Sequence, residues 1–338
     1  MEPTETPDEY HYYEETENNT TCNYTMGTAS RTLISVFLML IFILSLFGNS
    51  VVISTVWKVQ RKRRTAFLYI GNLALADLAF TVSLPLWAVY MAMDNHWPFG
   101  MALCKILSYV ELLNMYASVF LLTCLSFDRY LAIVHSLSWL CTGSHIYASI
   151  AAVWMLSGLL PTPALVFLTT LDELRGNRTL CTFDFSFVTT SKHQASLLYI
   201  GFGFSLSTLG FLLPLLTMVV CYGLIGCTVF RHFNTCRKGD QRKWQLLKVI
   251  TTMVVVFAVC WIPYHVVRTV DILSDLNLFP ATCAFRRSLL LAYPYAACLA
   301  YFNSCLNPFL YAFLDLRFRS RCLHLLQLKK YCHKPTRV

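Results

Sequence analysis

The chain has 338 residues, of which 56% are hydrophobic and only 13% are charged, and its formal net charge is +9. Soluble globular proteins carry about 25% charged residues, so this chain holds roughly half the charge that a water-exposed surface needs. The composition therefore argues against disordered, collagen-like and ordinary soluble proteins and favours a membrane protein.

Seven segments are long and apolar enough to cross a bilayer, which takes about 20 residues. All but two of them lack charged residues, and those two contain one acid each, Asp77 and Glu111. The segments are 32–57, 66–93, 106–127, 146–171, 194–230, 249–267 and 288–314. Membrane barrel strands would alternate over about 10 residues, which these segments do not. The sequence predicts an all-α membrane protein whose seven-helix bundle occupies residues 32–314.

The distribution of basic residues predicts the orientation. Most of the 27 Lys and Arg residues lie in alternate connections, beginning with 58–64, and in the C-terminal tail. Cytoplasmic loops carry such an excess, so residues 1–31 are expected outside the cell as an acidic arm. Residues 315–338 are expected in the cytoplasm, with a short amphipathic eighth helix. The net positive charge then marks the cytoplasmic face, and no nucleic-acid partner is expected.

Sequons for N-glycosylation fall on the predicted outer side, which agrees with the topology. Their asparagines are Asn18, Asn19, Asn23 and Asn177. The arm 1–31 shows no basic segment followed by an apolar one, so no cleaved signal peptide is expected.

Four cysteines also lie in outer segments, where disulfides persist: Cys22, Cys104, Cys181 and Cys283. Four cysteines allow three pairings. A Cys104–Cys181 bond would pin the loop after the fourth segment across the top of the bundle. A Cys22–Cys283 bond would then tie the arm to the last outer loop.

Polar side chains inside the predicted bundle are expensive and are therefore functional candidates. They include Asp77, Asn114, Ser118, Asn303 and Asn307. One interpretation is a satisfied interhelical hydrogen-bond network. The other is a cation site, occupied by an allosteric sodium ion, in which Asp77 supplies the charge. The two interpretations are compatible, and no cofactor is required by either.

Prolines interrupt four of the apolar segments, at Pro85, Pro214, Pro263 and Pro308, and each is expected to kink its helix. Trp261 stands beside one of these kinks, although a lone Trp is explained equally well by core packing. The tripeptide Asp128-Arg129-Tyr130 ends the third segment. An arginine there could simply anchor the helix at the membrane edge.

Together these motifs resemble the rhodopsin-like (class A) G-protein-coupled receptors over residues 30–330. The matching stretches are Gly48-Asn49, Leu73-Ala-Leu-Ala-Asp77, Asp128-Arg129-Tyr130, Trp154, Pro214 with Tyr222, Phe257-Ala-Val-Cys-Trp261-Ile-Pro263 and Asn307-Pro308-Phe-Leu-Tyr311. The resemblance implies a plasma-membrane receptor, not an enzyme, that couples to a heterotrimeric G protein. The activation switch that it implies consists of Asp128, Arg129, Tyr130, Tyr222, Phe257, Trp261, Pro263, Asn307, Pro308 and Tyr311.

Within that family the chain is similar to the apelin receptors, which are peptide receptors related to those for angiotensin and chemokines. The similarity lies in Trp97-Pro98-Phe99-Gly100, 113–120, 126–134, 260–265 and 301–313, and the Cys22–Cys283 pairing also fits this group. It implies apelin and Elabela/Toddler, both basic peptides, as ligands, a Gi/o protein as partner, and roles in early development, heart and vessels. An angiotensin- or chemokine-type receptor is the alternative. A transporter or channel has less support, because the sequence shows no internal repeat.

The resemblance also implies a ligand site. Asp94 and Asp172 match positions that hold peptide arginines, Arg268 matches a basic position near the peptide carboxylate, and Tyr301 completes the set. Glu111 replaces an apolar residue of the relatives. It is interpreted either as a partner for a ligand arginine or as a hydrogen-bonded structural acid. The acidic arm is expected to steer a basic peptide towards this site.

Other positions depart from the family pattern. Ala284 and Arg286 stand where the relatives have acids, Leu168 replaces a basic residue, and Lys243 replaces the acidic partner of Arg129. In the tail, Cys322 and Cys332 are possible palmitoylation sites. Thr336 is the only serine or threonine after Ser320. This argues against arrestin recruitment through tail phosphates, unless the chain is truncated.

Overall fold

The computed structural model describes residues 26–59, 65–135, 143–173, 178–186, 188–231, 241–276, 278, 282–314 and 319–320. Several predictions fall on residues outside these ranges. They concern the sequons at Asn18, Asn19, Asn23 and Asn177, the cysteines Cys22, Cys322 and Cys332, and all but two residues of the predicted eighth helix and tail.

The described residues form helices and one β-hairpin. The helices are α1 Thr28–Val59, α2 Thr65–Thr81, α3 Leu84–Ala92, α4 Gly100–Val134, α5 Gly143–Leu159, α6 Thr162–Phe167, α7 Lys192–Ser207, α8 Leu213–Arg231, α9 Gln241–Asp275 and α10 Cys283–Leu314. The strands are β1 Leu168–Glu173 and β2 Arg178–Phe183.

Seven helical segments are long and apolar enough to span a membrane, which confirms the predicted fold class. They are Thr28–Trp57, Ala66–Ala92, Gly100–Val134, Ser144–Phe167, His193–Thr228, Leu247–Asp275 and Cys283–Phe313. The second, fourth and fifth segments each combine two of the helices, because their hydrogen-bond ladders are interrupted.

Proline explains the interruption of the second segment. Helix α2 ends at Thr81 and α3 begins at Leu84, with Pro85 near its start. Proline donates no backbone hydrogen bond and fits best in the first turn of a helix. The hydroxyl of Ser83 donates to the carbonyl of Phe80 at 2.7 Å, which satisfies one of the groups that the break exposes.

The other prolines differ in their effect. A π-helical turn, Thr208–Leu212, precedes Pro214 in the fifth segment. Such a turn is a common site of helix bending. Pro263 and Pro308, in contrast, lie inside the continuous helices α9 and α10. Helix α10 also contains Pro294. Each of these three prolines lacks the backbone N–H that would continue the helical hydrogen bonds.

The loop after the fourth segment is an antiparallel hairpin, which the sequence did not predict. Strands β1 and β2 pair with Thr170 opposite Cys181. The predicted fourth segment, 146–171, was too long, because the helix ends at Phe167 and the backbone of Leu168 is extended. Beyond Phe167, the backbone N–H and C=O groups form their hydrogen bonds across the two strands of the hairpin instead of along a helix.

The Cys104–Cys181 disulfide is present, as predicted, and joins β2 to the first turns of α4. It therefore holds the hairpin against the third membrane segment. Cys283 is also disulfide-bonded. Its expected partner, Cys22, lies outside the described residues.

Packing inside the bundle centres on α4, which contacts α2, α5, α8 and α9. Tyr116, Leu121, Leu122 and Leu125 of this helix are almost completely buried. Polar residues are buried as well, while many large apolar side chains point outwards, such as Met155. This arrangement suits a bilayer, where lipid tails solvate apolar side chains and small or polar residues mediate helix contacts.

Helices α1 and α10 approach closely at Gly48. A methyl group at this position would lie 2.9 Å from Cβ and Cγ of Pro308. Next to it, the Asn49 amide donates to the carbonyls of Ser45 at 3.0 Å and Ser304 at 2.9 Å. The Gly48-Asn49 pair therefore allows two backbones to meet and then joins them by a hydrogen bond.

We expect Gly48→Ala to destabilise the bundle, because the added methyl group must displace the Pro308 ring. Overpacking of this kind costs about 1–3 kcal/mol. Gly223→Ala in α8 is the matched control, since nothing lies within 4 Å of a methyl group there. Alanine favours helix, so the control should be neutral or slightly stabilised. Thermal unfolding of both variants in one detergent measures the difference, and equal melting temperatures would contradict the close approach.

Candidate functional site

Predicted site residues lie in three groups along the bundle. We call the end at which α1 begins, near the hairpin, the outer end, and the opposite end the inner end. One group lines the outer end, a second surrounds Asp77 in the middle, and a third surrounds Arg129 at the inner end. They are connected through α9 and α10.

Asp94 lies at the outer end, directly after α3, in a left-handed backbone conformation with φ of 59°. Its two carboxylate oxygens are paired with two arginines of the same chain. Oδ1 lies 2.9 Å from Nη1 of Arg31, and Oδ2 lies 2.7 Å from Nη1 of Arg178. The acid predicted to hold a ligand arginine is thus already ion-paired.

Trp97 anchors the hairpin beside Asp94. Its backbone N–H donates to the carbonyl of Thr179 at 2.7 Å, and the Thr179 N–H donates to Nδ1 of His96 at 3.0 Å. The indole is buried and donates to the carbonyl of Gly100, whose φ is 78°. The Trp97-Pro98-Phe99-Gly100 motif therefore shapes the turn that attaches β2 to the bundle.

Asp172 and Glu111 occupy different surroundings. Asp172 is exposed on the hairpin and accepts a hydrogen bond from the hydroxyl of Thr179 at 2.8 Å. Glu111 is partly buried in α4, where Oε1 accepts a hydrogen bond from the hydroxyl of Tyr301 at 2.7 Å. Oε2 of Glu111 receives no hydrogen bond from any described residue. One oxygen of this acid therefore remains able to bind another donor.

Arg268 of α9 has spare donors. Its Nη1 donates to the hydroxyl of Tyr264 at 3.3 Å, and the hydroxyl of Tyr293 donates to the same oxygen at 3.5 Å. Nε and Nη2 of Arg268 are buried without a hydrogen-bond partner among the described residues. Buried donors are nearly always paired in proteins, so this guanidinium is suited to bind an anion.

Asp271 and Asp275 were missed at the sequence level. They follow Arg268 at helical spacing and so share its face of α9. Asp275 pairs with Arg286 at 3.4 Å. Asp271 has no hydrogen bond or ion pair within the described part of the chain. Both acids lie beyond the predicted segment 249–267, but their spacing from Arg268 was a usable signal.

The middle group surrounds Asp77, which is completely buried. Asn114 donates to Oδ1 and Asn307 donates to Oδ2, each at 3.1 Å. The Asn114 amide also lies 3.5 Å from the Ser118 hydroxyl. Four of the five predicted cation ligands therefore converge.

Two other residues complete this region. Oδ1 of Asn303, the fifth predicted ligand, is buried without a partner among the described residues. The side chain of Ser304, which was not predicted, is buried and interacts with Asp77. The Asp77 carboxylate faces no basic side chain within hydrogen-bonding distance in the described structure. A buried charge normally requires a counter-charge, so the site favours a cation or a proton.

A column of rings leads from the outer end towards the middle. Its members are Tyr264, Trp261, Phe257, Phe211 and His265, and we call it the aromatic column. Neighbouring ring centroids lie between 4.6 and 6.2 Å apart, the closest pair being Phe211 and His265. Phe257 and Trp261 were predicted, whereas Phe211 and His265 were missed. The column joins α9 to the fifth membrane segment.

At the inner end, Arg129 is held by its neighbour. Its guanidinium donates to the carboxylate of Asp128 through Nε at 2.9 Å and also through Nη2. The hydroxyl of Tyr130 lies 2.8 Å from Nε2 of His135, and the Ser126 hydroxyl donates to that of Tyr222 at 3.5 Å. Tyr311 is buried in the core. The Asp128 carboxylate is thus one restraint on Arg129.

Comparisons with known proteins agree with this geometry. The family model for the seven-transmembrane receptors of the rhodopsin family matches residues 48–311. Apelin receptor B of Danio rerio is 61% identical over 324 residues, which cover 95% of this chain and 90% of that receptor. Apelin receptor A of the same fish is 61% identical over 336 residues, covering 98% and 93%. The type-1 angiotensin II receptor of Bos taurus is 39% identical over 294 residues, covering 86% and 79%.

Proposed function

This chain belongs to the rhodopsin family of seven-transmembrane receptors, as its motifs predicted, and from this premise we propose that it is activated by a basic peptide of the apelin and Elabela/Toddler type. The family consists of multi-pass plasma-membrane receptors and not of enzymes. The observation that carries the ligand class is the similarity to two apelin receptors over nearly the whole chain. The more distant similarity to angiotensin receptors keeps a peptide of that type as the second candidate.

The charges at the outer end support a peptide with basic side chains and a free carboxylate. The unsatisfied Nε and Nη2 of Arg268 match the two oxygens of a carboxylate, which arginine binds in a bidentate manner. Glu111, Asp172 and Asp271 offer carboxylate oxygens to ligand arginines. The acidic residues in 1–25 raise the local concentration of such a peptide.

Activation follows as a shift between two arrangements of the bundle. A ligand carboxylate that binds Arg268 shifts the position of α9. Tyr264 and Trp261 lie between Arg268 and Phe257 and transmit this shift through their ring contacts. Pro263 lies between these rings and lacks a backbone donor, so α9 can bend there. The inner end of α9 then moves outwards, releases Arg129, and opens a groove for the C-terminal helix of a Gi/o protein. Early development, heart and vessels are the proposed settings of this signal.

The direct test is nucleotide exchange on purified Gi, using the full-length receptor in lipid nanodiscs. We expect apelin and Elabela/Toddler to stimulate exchange, and Arg129→Ala to lose this stimulation by at least about tenfold while retaining peptide affinity, because the residue acts only through coupling. Arg319→Ala is the control for losing one positive charge, since Arg319 is exposed. Full stimulation by the Arg129 variant would refute the mechanism. Stimulation by angiotensin alone would establish the second candidate.

Glu111 is proposed to bind one ligand arginine through Oε2. A charge-assisted hydrogen bond is worth about 1.5–3 kcal/mol, so Glu111→Ile should weaken peptide binding about ten- to a hundredfold. A peptide carrying citrulline in place of that arginine should bind both proteins equally. Tyr301→Phe is the control, because it removes the hydrogen bond to Oε1 and keeps the carboxylate. Unchanged affinity in Glu111→Ile would assign Glu111 to structure alone.

An allosteric sodium ion is proposed to bind at Asp77, with Asn114, Ser118, Asn303 and Asn307 as further oxygen donors. The proposed ion favours the inactive arrangement. Raising the sodium concentration while lowering choline, at constant ionic strength, should therefore weaken agonist binding several-fold. Asp77→Asn should abolish this dependence. Asn72→Ala should retain it, since Asn72 lies on the same helix but bonds to Trp154 instead. Equal sodium dependence in all three proteins would leave the polar cluster with a packing role.

A further inference from the structure

We propose that Arg31 is an internal competitor of the ligand: its guanidinium occupies the oxygen of Asp94 that a peptide arginine would otherwise bind. Arg31 is thereby a specificity-determining residue that limits how much binding free energy the receptor gains from a basic side chain at this position. The inference rests on the proposed function, because it requires a basic peptide as ligand.

The first observation is that both carboxylate oxygens of Asp94 are already ion-paired. Arg31 lies 2.9 Å from Oδ1 and Arg178 lies 2.7 Å from Oδ2. The side chains remain partly accessible, at 21% for Arg31, 34% for Arg178 and 20% for Asp94. An incoming guanidinium can reach Asp94, but a bidentate ion pair needs both oxygens and therefore competes with the arginines already bound to them.

The second observation is that the two arginines are held unequally. Arg178 also donates to the backbone carbonyl of Asp94 at 3.2 Å. It belongs to β2, which the disulfide at Cys181 fastens to α4. Among the described residues, the Arg31 side chain makes one other hydrogen bond, from Nη2 to the Thr28 hydroxyl at 3.3 Å, and its Nε is buried without a partner there. Arg31 is therefore the residue that a ligand displaces.

The third observation concerns the position of Arg31 in the first turn of α1. The N-terminal end of a helix carries a partial positive charge, which disfavours a cation there. Arg31 therefore does not stabilise its own helix, and Asp94 compensates its charge. When a ligand arginine binds Oδ1 in place of Arg31, one ion pair replaces another. The net gain in binding free energy is therefore smaller than it would be for an unpaired acid.

The magnitude follows from the exposure of the pair. Ion pairs with this degree of solvent contact are weak, and removing the competitor should raise peptide affinity about two- to fivefold. Two other roles predict different results. If Arg31 positioned Asp94 for the ligand, its removal would lower affinity. If Arg31 merely repelled a basic peptide at a distance, its removal would raise affinity by the same factor whether or not Asp94 carried a charge.

A double-mutant cycle separates these roles. We would measure the affinity of a fluorescent apelin-type peptide for the full-length receptor, for Arg31→Gln, for Asp94→Asn and for the double variant. Competition predicts a two- to fivefold gain in Arg31→Gln. It also predicts that Asp94→Asn causes a loss that is two- to fivefold larger in the Arg31→Gln background than in the native one. A loss of affinity in Arg31→Gln, or an additive cycle, would overturn the proposal.

The matched control is Arg286→Gln, which removes another partly buried arginine of the outer end, paired with Asp275. Its cycle with Asp94→Asn should be additive, because Arg286 does not contact Asp94. Coupling equal to that of Arg31 would also overturn the proposal. If Arg31→Gln fails to reach the cell surface, Arg31→Lys serves instead. It keeps the competing charge, so its affinity should stay within about twofold of the native value, and a larger gain would contradict the competition.

The proposed function and the role of Arg31 are refuted by different results. If the native receptor binds no basic peptide, the proposed function is wrong. If it binds apelin-type peptides but the Arg31–Asp94 cycle is additive, the function stands and only the role of Arg31 is wrong.

Discussion

The carboxylate of Asp77 is the charge around which the bundle is arranged. It lies in the middle of a membrane segment, where no bulk water can solvate it, and it is completely buried. Amides from α4 and α10, those of Asn114 and Asn307, supply the hydrogen bonds that make this burial tolerable. Three membrane segments must therefore meet at one point, and their relative positions are set by short polar contacts instead of by apolar packing alone.

The first segment joins the same network. The Thr81 hydroxyl donates to the backbone carbonyl of Asp77 at 2.6 Å and lies 2.6 Å from the hydroxyl of Ser45. Asn49 then bonds to the carbonyl of Ser304, one turn before Asn307. The close contact of Gly48 with Pro308 brings the backbones near enough for these bonds. A rearrangement at Asp77 would therefore change contacts of α1, α2, α4 and α10 together. This coupling is compatible with a site that switches between two states.

At the outer end, the charged side chains of Arg268 and Asp94 differ in how many of their polar atoms are paired. Arg268 has buried donors with no partner among the described residues, whereas Asp94 has two partners from the same chain. Under the proposed function, a ligand carboxylate binds Arg268 favourably because it pairs donors that are otherwise unsatisfied. A ligand arginine at Asp94 would have to displace Arg31, so it would contribute less binding free energy. The proposal therefore implies that the receptor distinguishes the anionic end of a peptide more strongly than a positive charge, and it assigns transmission from Arg268 to the middle of the bundle to the aromatic column.

Hydropathy and length were enough to predict seven membrane segments, because the transfer of a side chain into lipid depends mainly on its own chemistry. Motifs with fixed spacing, such as Asp128-Arg129-Tyr130 and Asn307-Pro308, were enough for the family. The Cys104–Cys181 bond belongs to one of the three pairings that the four outer cysteines allow, and the structure contains it. Contacts between distant parts of the chain could not be predicted in this way. All of the following depend on which helix faces which: the pairing of Asp94 with Arg31 and Arg178, the hydrogen bond from Tyr301 to Glu111, and the hairpin at Leu168. Only packing decides that, because an ion pair or a strand register is a property of two surfaces brought together and not of either sequence segment alone.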